Sequence, residues 1–404
     1  MPAPLNVALI GYQFMGKAHS NAWLQAPHYF DLPRTPILHT LVGRSPEPLR
    51  KTAETWGWKN HTTNYKDLLQ NPDVHLIDIA TPNNTHPELA IAAAESGKAV
   101  ACEKPLARTY AEALVMHAAV KKHKVPNFVW FNYRRVPAIV LARQLIEQGR
   151  IGRIFHARAL YLQDWIKDPN TPLVWRLQKK VAGSGSHGDL AAHSIDLLRY
   201  LSGDEIASVS ALMKTFIKNR PIGRMVEGLT AATSASSMQT SKSAAARQKM
   251  GKVDVDDAVL FIATLAGGGV ATFEATRFAT GHHNGNSLEI NGEKGSLRFY
   301  FPHFSFLEFF DDTLPPSEKG WRKISASAGV HEYAKNYWPP DHPIGSAETF
   351  TNTAADITRA LAPRGSNPAP FHADFTDALA TQRVLEAVAR SAAENRWVHL
   401  KEIN

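Results

Sequence analysis

Two places in this chain put ionisable side chains where proton or hydride chemistry could use them. The first is Glu103-Lys104-Pro105, which follows a short strand pattern, Lys98 to Cys102. Proline presets its own backbone and biases the residue before it to extended geometry, so Lys104 is held rather than floppy. Open parallel sheets bind ligands at the carboxyl ends of their strands. A lysine there can face a bound cofactor. Taken alone, Lys104 would be a solvated lysine in a turn. The second place is Asp189-x-x-x-His193. On a helix these two lie one turn apart, and a carboxylate beside an imidazole fixes its tautomer and supports its protonated form. Ser186-x-x-Asp189 is also spaced like a capping box, so an acid–base pair and a helix cap both stand as readings.

The elements that must carry these residues fall into two groups. Leu5 to Ile10 reads as a buried parallel strand, followed by Gly11-Tyr12-Gln13-Phe14-Met15-Gly16 and a helix from Lys17 to Leu24. Strand, glycine turn and helix form the context of a dinucleotide fingerprint. Gly11 permits the tight turn, Gly16 permits close helix–strand packing, and N–H groups at the helix start hold a pyrophosphate. Gln13 stands at the middle glycine position, so its side chain must turn away from the phosphates or bond to them. The second strand, Ile37 to Val42, ends in Gly43-Arg44-Ser45 instead of the acid that takes an NAD ribose. Arg44 and Ser45 suit the 2′-phosphate of NADP. Alternatively Arg44 stacks on adenine or faces water, and NAD binds without the carboxylate. Val74 to Ala80 is a third buried strand leading into Thr81-Pro82-Asn83 and His86, with Thr85 placed to cap the helix Pro87 to Ser96. Thr109 caps a helix from Tyr110 to Lys122, and Asn127 to Asn132 is a further strand. Alternating strands and helices predict a Rossmann doubly wound parallel sheet over residues 1–132. The site expected along its strand ends comprises Gly11 to Gly16, Arg44, Ser45, Thr81, Pro82, Asn83, His86, Glu103, Lys104 and Arg134.

Residues 133–404 follow a different pattern. Strands recur with few helices between them, which predicts an α+β domain with a large, mostly antiparallel open sheet. The helix from about Asp189 to Leu201 has an apolar stripe of Ala191, Ile195, Leu198 and Leu201, with Asp189, His193, Asp196 and Tyr200 opposite. Residues 221–251, rich in Ser, Ala and Thr, read as a mobile insertion with little regular structure.

With 404 residues, 44% hydrophobic and 20% charged, the chain has the composition of a globular protein of two or three domains. Its +8 charge is scattered, which argues against nucleic acid and leaves a modest preference for anionic ligands. The single cysteine, Cys102, rules out an internal disulfide framework and thiolate metal clusters and fits a reducing, cytoplasmic setting. No secretory pattern opens the chain and no apolar run is long enough to span a membrane. No metal site is expected.

Gly11 to Gly16, Thr81-Pro82-Asn83, Glu103-Lys104-Pro105, Asp189-x-x-x-His193 and the turn from Ile290-Asn291-Gly292 to Gly295-Ser296-Leu297 occur here in one order. Together they resemble the Gfo/Idh/MocA family of NAD(P)-dependent sugar and polyol oxidoreductases over nearly the whole length. Phe131 to Arg135, Tyr161 to Trp165, Trp175-Arg176, Val253 to Asp257 and Glu274 to Arg277 resemble its levoglucosan dehydrogenase branch, or close relatives acting on glucopyranosides. The resemblance implies NAD(H) or NADP(H) as cofactor, and Lys104, Asp189 and His193 as the catalytic group. It implies a homo-oligomer, a tetramer ahead of a dimer, and a carbohydrate or cyclic polyol as substrate. Sugar hydroxyls need many directed donors and acceptors. Tyr133, Gln163, Asp164, Trp165, Arg176 and His342 are the expected substrate ligands beside the catalytic three. Ser186-His187 depart from the family's small or apolar residues, and an inward His187 would add a donor to the pocket. Two other functions fit the same fold: a glycosidase that uses bound NAD for transient oxidation, and a non-catalytic nucleotide-binding regulator.

Overall fold

A computed structural model describes residues 2–223, 249–363 and 368–404. Contacts divide the chain into two compact units, residues 1–140 with 325–382 and residues 141–324 with 383–404. The expected linear division at 132/133 therefore differs from the packing. A late stretch of chain, 325–382, packs with the first unit.

The first unit is built on six parallel strands: β1 (Ala3–Ile10), β2 (Arg34–Val42), β3 (Asn60–Thr62), β4 (Leu76–Ile79), β5 (Ala99–Cys102) and β6 (Asn127–Val129). Their order is β3-β2-β1-β4-β5-β6, the doubly wound arrangement. β4 and β5 are buried along their whole length, as apolar runs covered on both faces must be. Helix α1 (Phe14–Tyr29) lies on one side, where Ala22, Trp23 and Ala26 meet Leu5, Val7 and Leu9 of β1. The helix Ser346–Ala360 packs along α1 and adds Ala354, Ala355 and Ile357 to that core. Next to β6, the Val129 N–H donates to the Ala373 carbonyl and the Phe375 N–H to Asn127 Oδ1. No sequence pattern announces that residues so distant along the chain complete this core.

The second unit holds a nine-stranded sheet, mixed but largely antiparallel. Its strands include β7 (Ile154–Leu162), β8 (Ile206–Lys214), β9 (Ala258–Leu265), β10 (Val270–Thr276) and β11 (Gly285–Gly292). β7 lies between β10 and β11, parallel to the first and antiparallel to the second. Residues alternate between faces, so Ala157, Ala159 and Tyr161 are buried while Arg158 is exposed. Of the expected insertion, residues 224–248 lie outside the described residues. Its two flanks, Asn219–Pro221 and Met250–Lys252, pair as an antiparallel ribbon.

The helix carrying His193 departs from the expected pattern twice. It opens with a π-helical turn, His187–Ala191, before the α-helix α2 (Ala192–Ser202). Its polar side is not solvated either: His193 and Asp196 are buried together with Ile195 and Leu198. A helix covered all round needs partners for its polar groups rather than water.

Candidate active site

The turn after β1 is shaped by what glycine lacks. Gly11 has φ 107°, and a Cβ there would lie 2.5 Å from the Ala80 carbonyl oxygen; a Cβ on Gly16 would lie 2.1 Å from the Gly11 oxygen. Only glycine lets the turn press between the end of β4 and the start of α1. Gln13, at the N-cap of α1, is exposed and makes no side-chain cap, which leaves the first-turn N–H groups to a ligand. Phe14 and Met15 begin that turn. Tyr12 lies on Gly43, where a Cβ would come within 2.2 Å of its ring. Arg44 and Ser45 follow, both exposed, at the end of β2. A cradle that Cβ atoms would fill, at an uncapped helix start, fits a dinucleotide pyrophosphate.

Thr81, Pro82 and Asn83 follow β4. Thr85 does not cap the next helix: its hydroxyl lies 2.6 Å from Thr81 Oγ1 and 2.8 Å from the Pro82 carbonyl. Its backbone is already αR, whereas an N-cap side chain works from extended geometry. His86 is fully buried, with Nε2 3.0 Å from the Thr81 carbonyl and Nδ1 3.2 Å from those of Pro105 and Leu106. Burial holds its pKa below the usual imidazole range, against those three carbonyls and Glu103. Rather than facing a cofactor directly, His86 ties two strand-end turns together from within.

Glu103 is likewise committed inside the fold. One carboxylate oxygen lies 3.0 Å from His19 Nε2, and the other accepts the Lys104 N–H at 3.0 Å. On the far side of the imidazole, Nδ1 is 3.0 Å from Asp78 Oδ2, which also accepts the Trp23 indole N–H at 2.7 Å. Asp78 Oδ1 accepts the Trp130 N–H at 2.8 Å, and the His19 ring lies 4.0 Å from the Trp130 ring. Burial alone would lower the His19 pKa, but Asp78 and Glu103 outweigh it and push it up to about 9. The result is a buried imidazolium between two carboxylates, ending on the backbone of half-buried Lys104. His19 and Asp78 were not legible as site residues, although His19 sits one turn beyond Gly16 with its side turned to the sheet.

Arg134 is buried and pairs with Asp377 and the His372 carbonyl, its guanidinium over the Phe131 ring. That makes it an internal brace instead of the expected cofactor ligand. Tyr133 shares its 3-10 turn, Asn132–Arg135. His342, in residues 325–382, is exposed and bonds within its own turn to the Pro339 carbonyl.

In the second unit the π-turn is anchored by one carboxylate. Asp256 accepts the Gly185 N–H at 2.7 Å, the Ser186 hydroxyl at 2.7 Å and the His187 N–H at 2.8 Å. Ser186 therefore makes no cap, and the capping-box spacing is coincidental. Asp189 Oδ2 accepts 2.8 Å from Arg277 Nη2. His193 is buried, its ring 5.9 Å from that of Tyr161 on β7. His187 is buried, and neither ring nitrogen has a hydrogen-bond partner among the described residues. Burial lowers its pKa against the charges of Asp256 and Glu386.

The expected substrate ligands fare differently. Gln163 donates to Asn284 Oδ1 at 3.0 Å across the strand pair. Trp165 is partly buried, with the Arg277 guanidinium 5.6 Å from its ring centre, and Arg176 lies over the Trp175 ring at 4.4 Å. Asp164 is spent: it accepts the Gly281 N–H at 3.1 Å and pairs with Lys167 and His283. Burial would raise its pKa, but those partners hold it below the usual carboxylate range. It ties a loop, which corrects its assignment to substrate.

A doubly wound sheet with a glycine cradle at the first strand end is the architecture of a dinucleotide-binding unit. Comparison with known proteins agrees. Residues 5–131 match the oxidoreductase family with NAD-binding Rossmann fold, and residues 139–298 match the GFO/IDH/MocA C-terminal domain. The chain belongs to the Gfo/Idh/MocA family of oxidoreductases. It is 40% identical over 402 residues to levoglucosan dehydrogenase of Pseudarthrobacter phenanthrenivorans, covering 99% of each chain. A solved oxidoreductase domain protein from Kribbella flavida is 46% identical, with a TM-score of 0.89 over 98% of this chain and 99% of that one. A levoglucosan dehydrogenase solved with NADH and levoglucosan is 39% identical, with a TM-score of 0.89 and the same coverage.

Proposed function

We propose that this enzyme is an NAD-dependent sugar or cyclic-polyol dehydrogenase, with Lys104, Asp189 and His193 as its catalytic group. The observation that carries the reading is the Lys104 turn: a lysine at the end of β5, its amide pinned by a buried carboxylate, in an NAD-binding unit. Full-length similarity to levoglucosan dehydrogenase supports the substrate class. NAD, when bound, supplies the hydride acceptor; Gly11 to Gly16 and the turn at Thr81–Asn83 would hold it. His193 takes the hydroxyl proton as general base. Lys104 donates to the same oxygen and stabilises its growing charge. Asp189 orients the group. Gln163, Trp165, Arg176 and Tyr133 contact the ring.

Three finer statements belong to the same reading. Arg44 and Ser45, exposed at the end of β2 without a carboxylate, support tolerance of NADP. Exposed Leu212, Leu260, Ile262 and Val270 on the second unit's sheet support a homo-oligomer, a tetramer ahead of a dimer. The lone, buried Cys102 supports a cytoplasmic site of action.

The test is a screen of pyranosides and inositols with NAD and NADP, following absorbance of the reduced nicotinamide. Steady reduction with at least one ring polyol is expected; none with any would sink the reading. In the active enzyme, His193→Ala and Lys104→Ala should each lower kcat by about 10²- to 10⁴-fold while NAD still binds. Wild-type turnover in a folded His193→Ala variant would reject the mechanism.

A further inference from the structure

We infer that Arg277 is the positioning residue of the catalytic carboxylate, joining Asp189 to the Trp165 indole so that the two form one clamp for a neutral, hydroxyl-rich ring. The inference rests on the reaction proposed above. Arg277 directly follows the last residue of β10, and its backbone N–H donates to the Asp257 carbonyl at 3.1 Å. The strand end thus fixes where its side chain begins. Nη2 donates to Asp189 Oδ2 at 2.8 Å and to the Gly185 carbonyl at 3.2 Å, while the guanidinium carbon lies 5.6 Å from the Trp165 ring centre.

Burial makes this geometry decisive. The Arg277 side chain is 1% exposed, whereas that of Asp189 keeps 29%. One oxygen of the carboxylate is therefore held from inside, and the residue still reaches the surface. A guanidinium is planar and always charged; here the Gly185 carbonyl at 3.2 Å and the Arg176 carbonyl at 3.5 Å fix its plane, so that Nη2 presents one hydrogen to Asp189 Oδ2 from a set direction. Asp189 sits on a π-turn, a geometry frequent at functional sites. Arg277 Nε has no hydrogen-bond partner among the described residues. An unpaired buried donor costs stability, and here that cost accompanies a guanidinium aimed at Asp189 and Trp165.

The same pairing limits the substrate. The Arg277 charge is consumed by Asp189, so it offers no anion receptor, and the held carboxylate accepts hydroxyl hydrogens. An aromatic ring beside an oriented acceptor suits the C–H face and hydroxyl rim of a pyranose. A carboxylate or phosphate placed against Asp189 would find only acceptors and no free guanidinium to receive it.

The experiment is a double-mutant cycle with the best ring substrate from the screen: Arg277→Met, Asp189→Asn and both together. The readouts are kcat, KM, NAD affinity and thermal midpoint. Arg277→Met should lower kcat about 10²-fold, the scale set by misplacing a reacting group, with NAD affinity unchanged. The double variant should fall no further than the worse single variant, because both changes remove one interaction. Millimolar guanidinium should restore part of the rate to Arg277→Ala and none to Asp189→Asn. Sugar acids and sugar phosphates should be poorer substrates than their neutral counterparts. Additive losses in the cycle, or wild-type kcat in folded Arg277→Met, would overturn the role. If Arg277→Met does not fold, Arg277→Lys decides: it keeps the charge and loses the fork, so it should still lower kcat, and wild-type kinetics would refute the proposal. Wild-type enzyme inactive on every ring polyol would instead sink the proposed reaction itself.

Discussion

His19 holds a proton between two buried carboxylates, and a change of pH can remove it. Its ordinary value is 6.5; in the fold, burial lowers it, Asp78 and Glu103 raise it, and it stands at about 9. A folded value above the unfolded one means stabilisation that is fully present below the unfolded pKa and is lost as pH rises through the folded one. The urea midpoint should therefore fall as pH climbs from 6.5 through about 9. His19→Gln should flatten that slope, and at neutral pH it should cost about 3–5 kcal/mol, because two buried carboxylates lose their counter-charge. A midpoint that stays level across this window in the wild type would refute the assignment. Lys104 was legible because its neighbours in sequence set it at a strand end. His19 was not, since what gives it meaning is Asp78, 59 residues away along the chain.

The π-turn carries Asp189 and leads into the helix of His193, and a single atom guards it. A Cβ on Gly185 would lie 1.6 Å from the Asp256 carbonyl oxygen, a backbone atom that cannot step aside. Gly185→Ala should destabilise the protein by at least about 1–3 kcal/mol, as overpacking does, and should lower kcat by moving Asp189. Ser186→Ala deletes one hydroxyl bond to Asp256 and should cost about 1 kcal/mol. Chemical denaturation of the two variants ranks them, and a reversed order would show that the close approach is not what holds the turn. Periodicity could not reveal this element. The repeat of 3.6 residues assumes a regular helix, and the extra residue of a π-turn leaves no mark in composition. The expected capping box failed for the same kind of reason: Asp256 claims Ser186, and Arg277 claims Asp189.

For the molecule as a whole, the open sheet sets the expectation. Leu212 and Leu260 face each other across β8 and β9, and both are exposed, with Ile262 further along the same strand. Contiguous exposed apolar surface of this kind marks an interaction site. Light scattering at micromolar concentration should give a multiple of the 44.5 kDa chain mass. Leu260→Glu with Ile262→Lys should shift it toward the single-chain value without unfolding either unit. A monomeric wild type would end the proposal of a homo-oligomer. A second whole-molecule expectation concerns cofactor choice. If NADP fails to bind at concentrations where NAD saturates, Arg44 is no phosphate ligand.

Much of this enzyme could be read from its residues in order. The alternation of apolar strands with helices, the two glycines of the first turn and the lysine before Pro105 are local patterns. Local sterics and short-range burial are enough to specify a doubly wound sheet, a cofactor cradle and a strand-end lysine. What folding alone decided is long-range. Residues 325–382 join the first unit, Arg134 and Asp164 are spent as braces, and Glu103 turns inward to His19. Asp189 acquires its partner from a strand end 88 residues away. Buried charges take partners wherever packing brings them together, and the order of residues along the chain does not record those distances.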